Sequence, residues 1–114
     1  MHELSVSMSI VAMATKEVKE AHAQHVSRIE LEIGTLSGID LDALYFAWDH
    51  AIKNTVLENA ERVINEIHAR ARCLECDKQY PISHFHDNCP YCGSYFKDVE
   101  KGKELKVKSI TVEL

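Results

Sequence analysis

Leu4, Met8, Val11, Thr15 and Val18 recur at helical spacing near the start of the chain, and Ile10, Met13, Ala14 and Ala21 broaden the stripe. That period predicts an amphipathic helix over about 4–23, with the methionines as initiator and core filler. The period then shortens to two. Ile29, Leu31 and Ile33 alternate with Arg28, Glu30 and Glu32, which predicts a half-buried strand ending at Gly34. Gly34-Thr35-Leu36-Ser37-Gly38 reads as a loop. Helical spacing returns at Leu41, Leu44, Tyr45, Trp48 and Ile52. These positions predict a second helix, capped by Ser37 or Asp40 and ending near Asn54-Thr55. Tyr45 and Trp48 belong to its core face, and His50 falls outside it. Val63, Ile67, Ala69 and Ala71 share one face of a further strand over about 62–72. A last strand over 104–113 changes phase between Val107 and Ile110, as a bulge or bend near Lys108-Ser109 would cause.

The order α-β-α-β-β predicts an α+β fold, with two helices packed on a small mixed three-stranded sheet. A crossover makes the first two strands parallel, and the excursion between the last two makes that pair antiparallel. This excursion, residues 72–98, is expected to be an inserted zinc-ribbon lobe. Residues 1–71 and 99–114 form the main domain.

The reason for the lobe is its cysteines. All four in the chain fall there, as Cys73-Leu74-Glu75-Cys76 and Cys89-Pro90-Tyr91-Cys92. Two CxxC pairs can place four thiolates around one Zn2+ in a closed tetrahedral shell, which is structural rather than catalytic. A segment this short cannot bury enough apolar surface to fold alone, and a structural zinc supplies roughly 10–16 kcal/mol of apparent binding energy. Gly93 offers the freedom in φ that the second knuckle needs. Two disulfides would require an oxidising compartment. Met1-His2-Glu3 opens without a basic region, and no apolar run approaches membrane-spanning length, so a cytoplasmic protein with reduced thiols is expected. A thioredoxin-like role for one CxxC lacks the strand-to-helix context it would need.

Charge narrows the partners. The formal net charge of −5 counts against nucleic acid, which zinc ribbons with basic surfaces often bind. Lys101, Lys103, Lys106 and Lys108 alternate along the last strand and read as its solvated face. No Ser/His/Asp constellation or phosphate loop supports an enzyme. His2 offers the terminal amine, its own amide and its imidazole in sequence. Such fused chelate rings are planar and suit Ni(II) or Cu(II) better than Zn(II). On its own, a histidine at the second position reads as a chance residue.

Several motifs occur together and in order. They are Met1-His2-Glu3-Leu4-Ser5 opening the first helix, Leu31-Glu32-Ile33-Gly34-Thr35-Leu36-Ser37-Gly38 after the first strand, both CxxC pairs, and the closing Leu105-Lys106-Val107-Lys108-Ser109-Ile110. Across essentially its whole length the chain resembles the HypA/HybF family of hydrogenase nickel-incorporation proteins. The resemblance implies a nickel metallochaperone, not an enzyme, that serves maturation of [NiFe]-hydrogenase and in some bacteria urease. It places Ni(II) as cargo at His2, Glu3 and the backbone amine of Met1. Asp40 stands where some relatives have an acidic residue near the nickel, although helix capping explains an Asp there equally well. Zinc falls to Cys73, Cys76, Cys89 and Cys92. Implied partners are the nickel-handling GTPase HypB, the hydrogenase large-subunit precursor and urease maturation proteins, with no nucleic acid and no membrane.

One feature departs from that family. Several relatives carry a histidine beside each CxxC, whereas Asp77-Lys78 and Gly93-Ser94 stand here. His84 and His86 lie instead between the pairs, either as an exposed polar loop or as a minor metal contact. The rival function is a zinc-ribbon adaptor that carries no transferable metal.

Overall fold

The structure, a computed structural model, describes residues 2–114. Its elements in chain order are α1 (Glu3–Glu20), β1 (His25–Gly34), α2 (Leu41–Ala51), β2 (Glu61–Ile67), β3 (Arg70–Cys73), β4 (Gln79–Pro81), β5 (Lys97–Lys101) and β6 (Leu105–Glu113). The fold is α+β, as the periodicity predicts. Two three-stranded sheets form, ordered β2-β1-β6 and β4-β3-β5.

Two compact units divide the chain. The first comprises residues 1–31, 39–65 and 106–114, and the second residues 32–38 and 66–105. In the first unit α1 packs against α2. Its buried side chains include Ile10, Ala14 and Val18 of α1, Leu44 and Trp48 of α2, Val26, Ile29 and Leu31 of β1, and Leu57. Trp48 is core, as expected, and His50 is exposed. The Arg62 guanidinium lies 4.5 Å from the Tyr45 ring centroid, so this half-buried ring carries a cation on one face.

Positions meeting along β1 and β6 run in opposite order: Gln24 with Glu113, Ser27 with Thr111, Glu30 with Ser109. Those strands are therefore antiparallel. Along β2 and the β1 segment they rise together, Glu30 with Asn65 and then Thr35, just past β1, with Ile67, so the sheet is mixed. The expected pairing of the strands that flank the excursion does not occur. The order β2-β1-β6 puts β1 between them, because the first strand offers two hydrogen-bonding edges and takes a neighbour on each.

The buried face of α1 also differs from the stripe read in the sequence. Glu3, Ser7, Ile10, Ala14 and Val18 are buried, whereas Leu4 and Met8 are 53% and 59% exposed. The face is rotated by about one residue, and two polar residues occupy it because both are satisfied. Ser7 Oγ donates to the Glu3 carbonyl at 2.8 Å, and the Glu3 carboxylate accepts the Asp40 N–H at 3.1 Å.

The strand expected over 62–72 is two strands in two sheets. It breaks at His68-Ala69, where the backbone turns to other partners. Ala69 N–H donates to Thr35 Oγ1 at 3.1 Å, and its carbonyl accepts Ile82 N–H at 3.1 Å. Gly34 and Gly102 make this corner possible. A Cβ on Gly34 would overlap the Gly102 carbonyl, and one on Gly102 would overlap Ala69. Val107, Ile110 and Val112 are the half-buried positions of β6, so the expected change of phase is present.

Candidate metal centres

The second unit is built around its cysteines. β3 is the central strand of its sheet, antiparallel to β4 and to β5. Cys73 closes β3 and opens a tight turn in which Asp77 N–H donates to the Cys73 carbonyl at 3.0 Å. Gly93 N–H donates to the Cys89 carbonyl at 2.8 Å in the same way. The two turns are alike. Each has a left-handed residue directly after its second cysteine, Asp77 at φ 63° and Gly93 at φ 80°. Asp is among the few residues that tolerate this region. Gly93 is legible in the sequence as a turn residue, and Asp77 is the equivalent that sequence reasoning missed. Its signal is position: it follows Cys76 as Gly93 follows Cys92.

The turns bring all four sulfurs within 4.8 Å of one another. Cys73 Sγ lies 3.5 Å from Cys92 Sγ, and Cys76 Sγ lies 3.7 Å from Cys89 Sγ. None is in a disulfide. Four sulfurs at 2.3 Å from a tetrahedral ion stand about 3.8 Å apart, so the cluster fits a Zn2+-sized centre with little movement. Backbone donors favour the thiolate form. Cys76 N–H reaches Cys73 Sγ at 3.4 Å, and Tyr91 N–H reaches Cys89 Sγ at 3.4 Å. The Cys76 N–H is the largest cause holding the Cys73 thiol down to about 7. At Cys92 the Ser94 backbone acts in that direction too, but Cys73, desolvation and the other two thiols outweigh it and push the group up to about 12. Four crowded thiols cannot all ionise unless a cation compensates them.

Cys73 and Cys89 are buried with Ala69, Ala71, Tyr80 and Ile82, so the apolar core of this unit and its sulfur cluster are one structure. Tyr80 is 1% exposed, and its hydroxyl finds no hydrogen-bond partner among the described residues. β4, which carries it, had no periodic signal because it is three residues long.

The amino-terminal candidates lie in the first unit. His2 is exposed and stands at the N-cap of α1, with no side-chain cap hydrogen bond; its carbonyl accepts Val6 N–H at 2.8 Å. Glu3 is the first helical residue and only 5% exposed. The amino-terminal charge first, and then the Asp40 N–H, hold its carboxyl down to about 2. Met1 lies outside the described residues. Asp40 is the N-cap of α2, and its Oδ1 accepts Asp42 N–H at 3.0 Å and Ala43 N–H at 3.3 Å. This settles the cap in favour of Asp40 over Ser37. The structure thus brings Glu3 and Asp40 together through the Asp40 backbone, while the Asp40 side chain serves its own helix.

Among the described residues no helix is long and apolar enough to cross a membrane.

Comparison with known proteins agrees with this arrangement. A family described as "Hydrogenase/urease nickel incorporation, metallochaperone, hypA" matches residues 1–112. The chain is 42% identical over 113 residues to a hydrogenase maturation factor HypA from Parabacteroides distasonis, covering 99% of this chain and 98% of that protein. It is 39% identical to the protein of the same name from Geobacter metallireducens, with 99% and 100% covered. The solution structure of the Ni metallochaperone HypA from Helicobacter pylori shares the fold, at TM-score 0.68 and 23% identity, with 99% and 98% covered.

Proposed function

Because the chain belongs to the HypA family of hydrogenase and urease nickel-incorporation metallochaperones, we propose that it carries Ni(II) at its amino end and delivers it during maturation of [NiFe]-hydrogenase. It is a maturation factor rather than an enzyme. The observation that supports the nickel site best is the exposed His2 at the start of α1, beside an anchored Glu3. The helix begins directly after His2, so its imidazole, its amide and the Met1 amine are neighbours along the chain. Ni(II) takes such nitrogens readily, and exposure leaves an open edge for transfer. Glu3, ionised and fixed to Asp40, supplies negative charge beside the cargo.

Zinc is the structural ion, held by Cys73, Cys76, Cys89 and Cys92. The two sites differ as their tasks require. A closed four-thiolate shell holds its ion permanently, whereas a transferable ion needs a shell that opens. In this reading residues 1–71 and 99–114 carry nickel, and the inserted ribbon at 72–98 is a docking lobe. The protein works in the cytoplasm. Its partners there are the GTPase HypB, the hydrogenase large-subunit precursor and, where urease is a client, the urease maturation proteins.

Calorimetric nickel titration of zinc-loaded protein with a native, unblocked start tests this. His2→Ala is expected to lose nickel binding at the amino end and to keep its zinc and its fold. Unchanged affinity in that variant would refute the assignment. No amino-terminal uptake even in the unaltered protein would leave a zinc-ribbon adaptor instead.

A further inference from the structure

A second group of metal-ligand side chains lies outside both centres, in the loop between the CxxC pairs. His84, His86 and Asp87 each offer a ligand atom, and these atoms lie within 4.8 Å of one another. The nickel and zinc assignments use none of them. Their turn is built to present them. Asp87 Oδ2 accepts the Ser83 N–H at 2.7 Å and the His84 N–H at 3.1 Å, and Asp87 N–H donates to the His84 carbonyl at 3.2 Å. One carboxylate oxygen therefore locks the turn. The other, Oδ1, lies 3.7 Å from His84 Nδ1.

The two imidazoles are exposed and stacked, with centroids 5.1 Å apart and planes at 25°. Lys97 Nζ donates to the carbonyls of Phe85 at 2.8 Å and Tyr95 at 3.0 Å. It thereby fixes the residue between the two histidines, and its charge is committed to those carbonyls.

Two imidazoles and one carboxylate on one edge are the donor set of an open site. They suit ions that prefer nitrogen, such as Ni(II), Zn(II) or Cu(II), and not Mg2+ or Ca2+, which need several oxygens. Ligand atoms around an ion at about 2.1 Å stand roughly 3.0–3.4 Å apart, so modest rotation of these exposed rings closes the set. We propose that His84, His86 and Asp87 form a second, exchangeable site for a divalent imidazole-preferring metal ion, with Ni(II) as the ion to test. With three protein ligands and open positions, it binds more weakly than the four-thiolate cage. Its ion enters and leaves without disturbing the cysteines.

The test uses untagged, zinc-loaded protein carrying His2→Ala, so the result is independent of the amino-terminal reading. Nickel is titrated by calorimetry into this protein and into the same protein carrying His84→Ala and His86→Ala as well. A second variant, Asp87→Asn on the His2→Ala background, keeps an oxygen acceptor for the turn and removes the charge. The single variant is expected to bind nickel, and both further variants to bind it about tenfold more weakly or worse. Zinc content and the amide spectrum should not change. Nickel should also shift or broaden the imidazole NMR signals of His84 and His86. The proposal is overturned if the His2→Ala protein takes up no nickel. It is equally overturned if removing both histidines leaves the affinity unchanged, or if those imidazole signals do not respond while nickel binds.

Discussion

Single residues in this chain are constrained in two different ways, and three glycines separate them. Gly93 needs its left-handed φ of 80°, yet a Cβ there meets nothing within 4 Å. Gly34 is limited by space, since a Cβ would strike the Gly102 backbone. Gly102 has both problems, with φ 114° and Ala69 against it. Gly93→Ala should therefore cost about 1–2 kcal/mol, the price of the left-handed region. Gly34→Ala should do far more damage, because backbone rather than a flexible side-chain end must move. Urea unfolding of the zinc-loaded protein ranks the two, and equal losses would contradict this account. Sequence shows Gly34 and Gly93 as turn residues, but not that one is there for torsion and the other for closeness. Closeness depends on residues 68 positions apart, read from Gly34 and Gly102, and no local pattern records it.

At the scale of elements, the long periodic ones were legible. α1 and α2 stand where the spacing of apolar residues puts them, and β1 and β6 follow their alternation. What failed was local to short or broken elements. Ala69 and Ala71 continue the alternation of Val63 and Ile67, so nothing in the period signals that the chain changes sheets at His68-Ala69. β4 and β5 are short, and the sulfur cluster and β3 position them rather than any amphipathic stripe. The buried face of α1 departs from its apolar stripe because hydrophobicity favours Leu4 and Met8, whereas hydrogen bonding satisfies Glu3 and Ser7 inside.

Asp40 shows how capping and metal binding compete as explanations at a helix end. Asp40→Ala removes the acceptor for two amides of α2 and should lower stability by about 0.5–2 kcal/mol. Its backbone N–H still reaches Glu3, so nickel affinity should stay unchanged in the same calorimetric titration. A clear loss would make Asp40 a ligand instead.

Glu30 ties β1 to its neighbours. The Asn65 amide first, and then Lys108 and Arg28, hold its carboxyl below the ordinary value against partial burial. A lowered folded value means that this stabilisation is complete above the unfolded value of 4.5. It is lost as pH falls through the folded value. Thermal midpoints should drop more between pH 5 and pH 3 in the unaltered protein than in Glu30→Gln. Parallel curves would contradict the pairing.

In the proposed function the whole molecule separates two coordination chemistries. The cysteine turns sit on a short antiparallel sheet in one unit, and His2 and Glu3 open a helix in the other. The sulfur half was legible from spacing alone, because CxxC fixes ligand type and reach within four residues. The nitrogen half was not. A histidine at position two is one residue, and only its company of family motifs gave it meaning. X-ray absorption at the zinc and nickel edges of one sample, loaded with both ions and carrying its native start, measures that separation directly. The account predicts four sulfurs at about 2.3 Å around zinc, and only nitrogen and oxygen, including imidazole, around nickel. Sulfur in the nickel shell, or a nickel spectrum unchanged by His2→Ala, would contradict it.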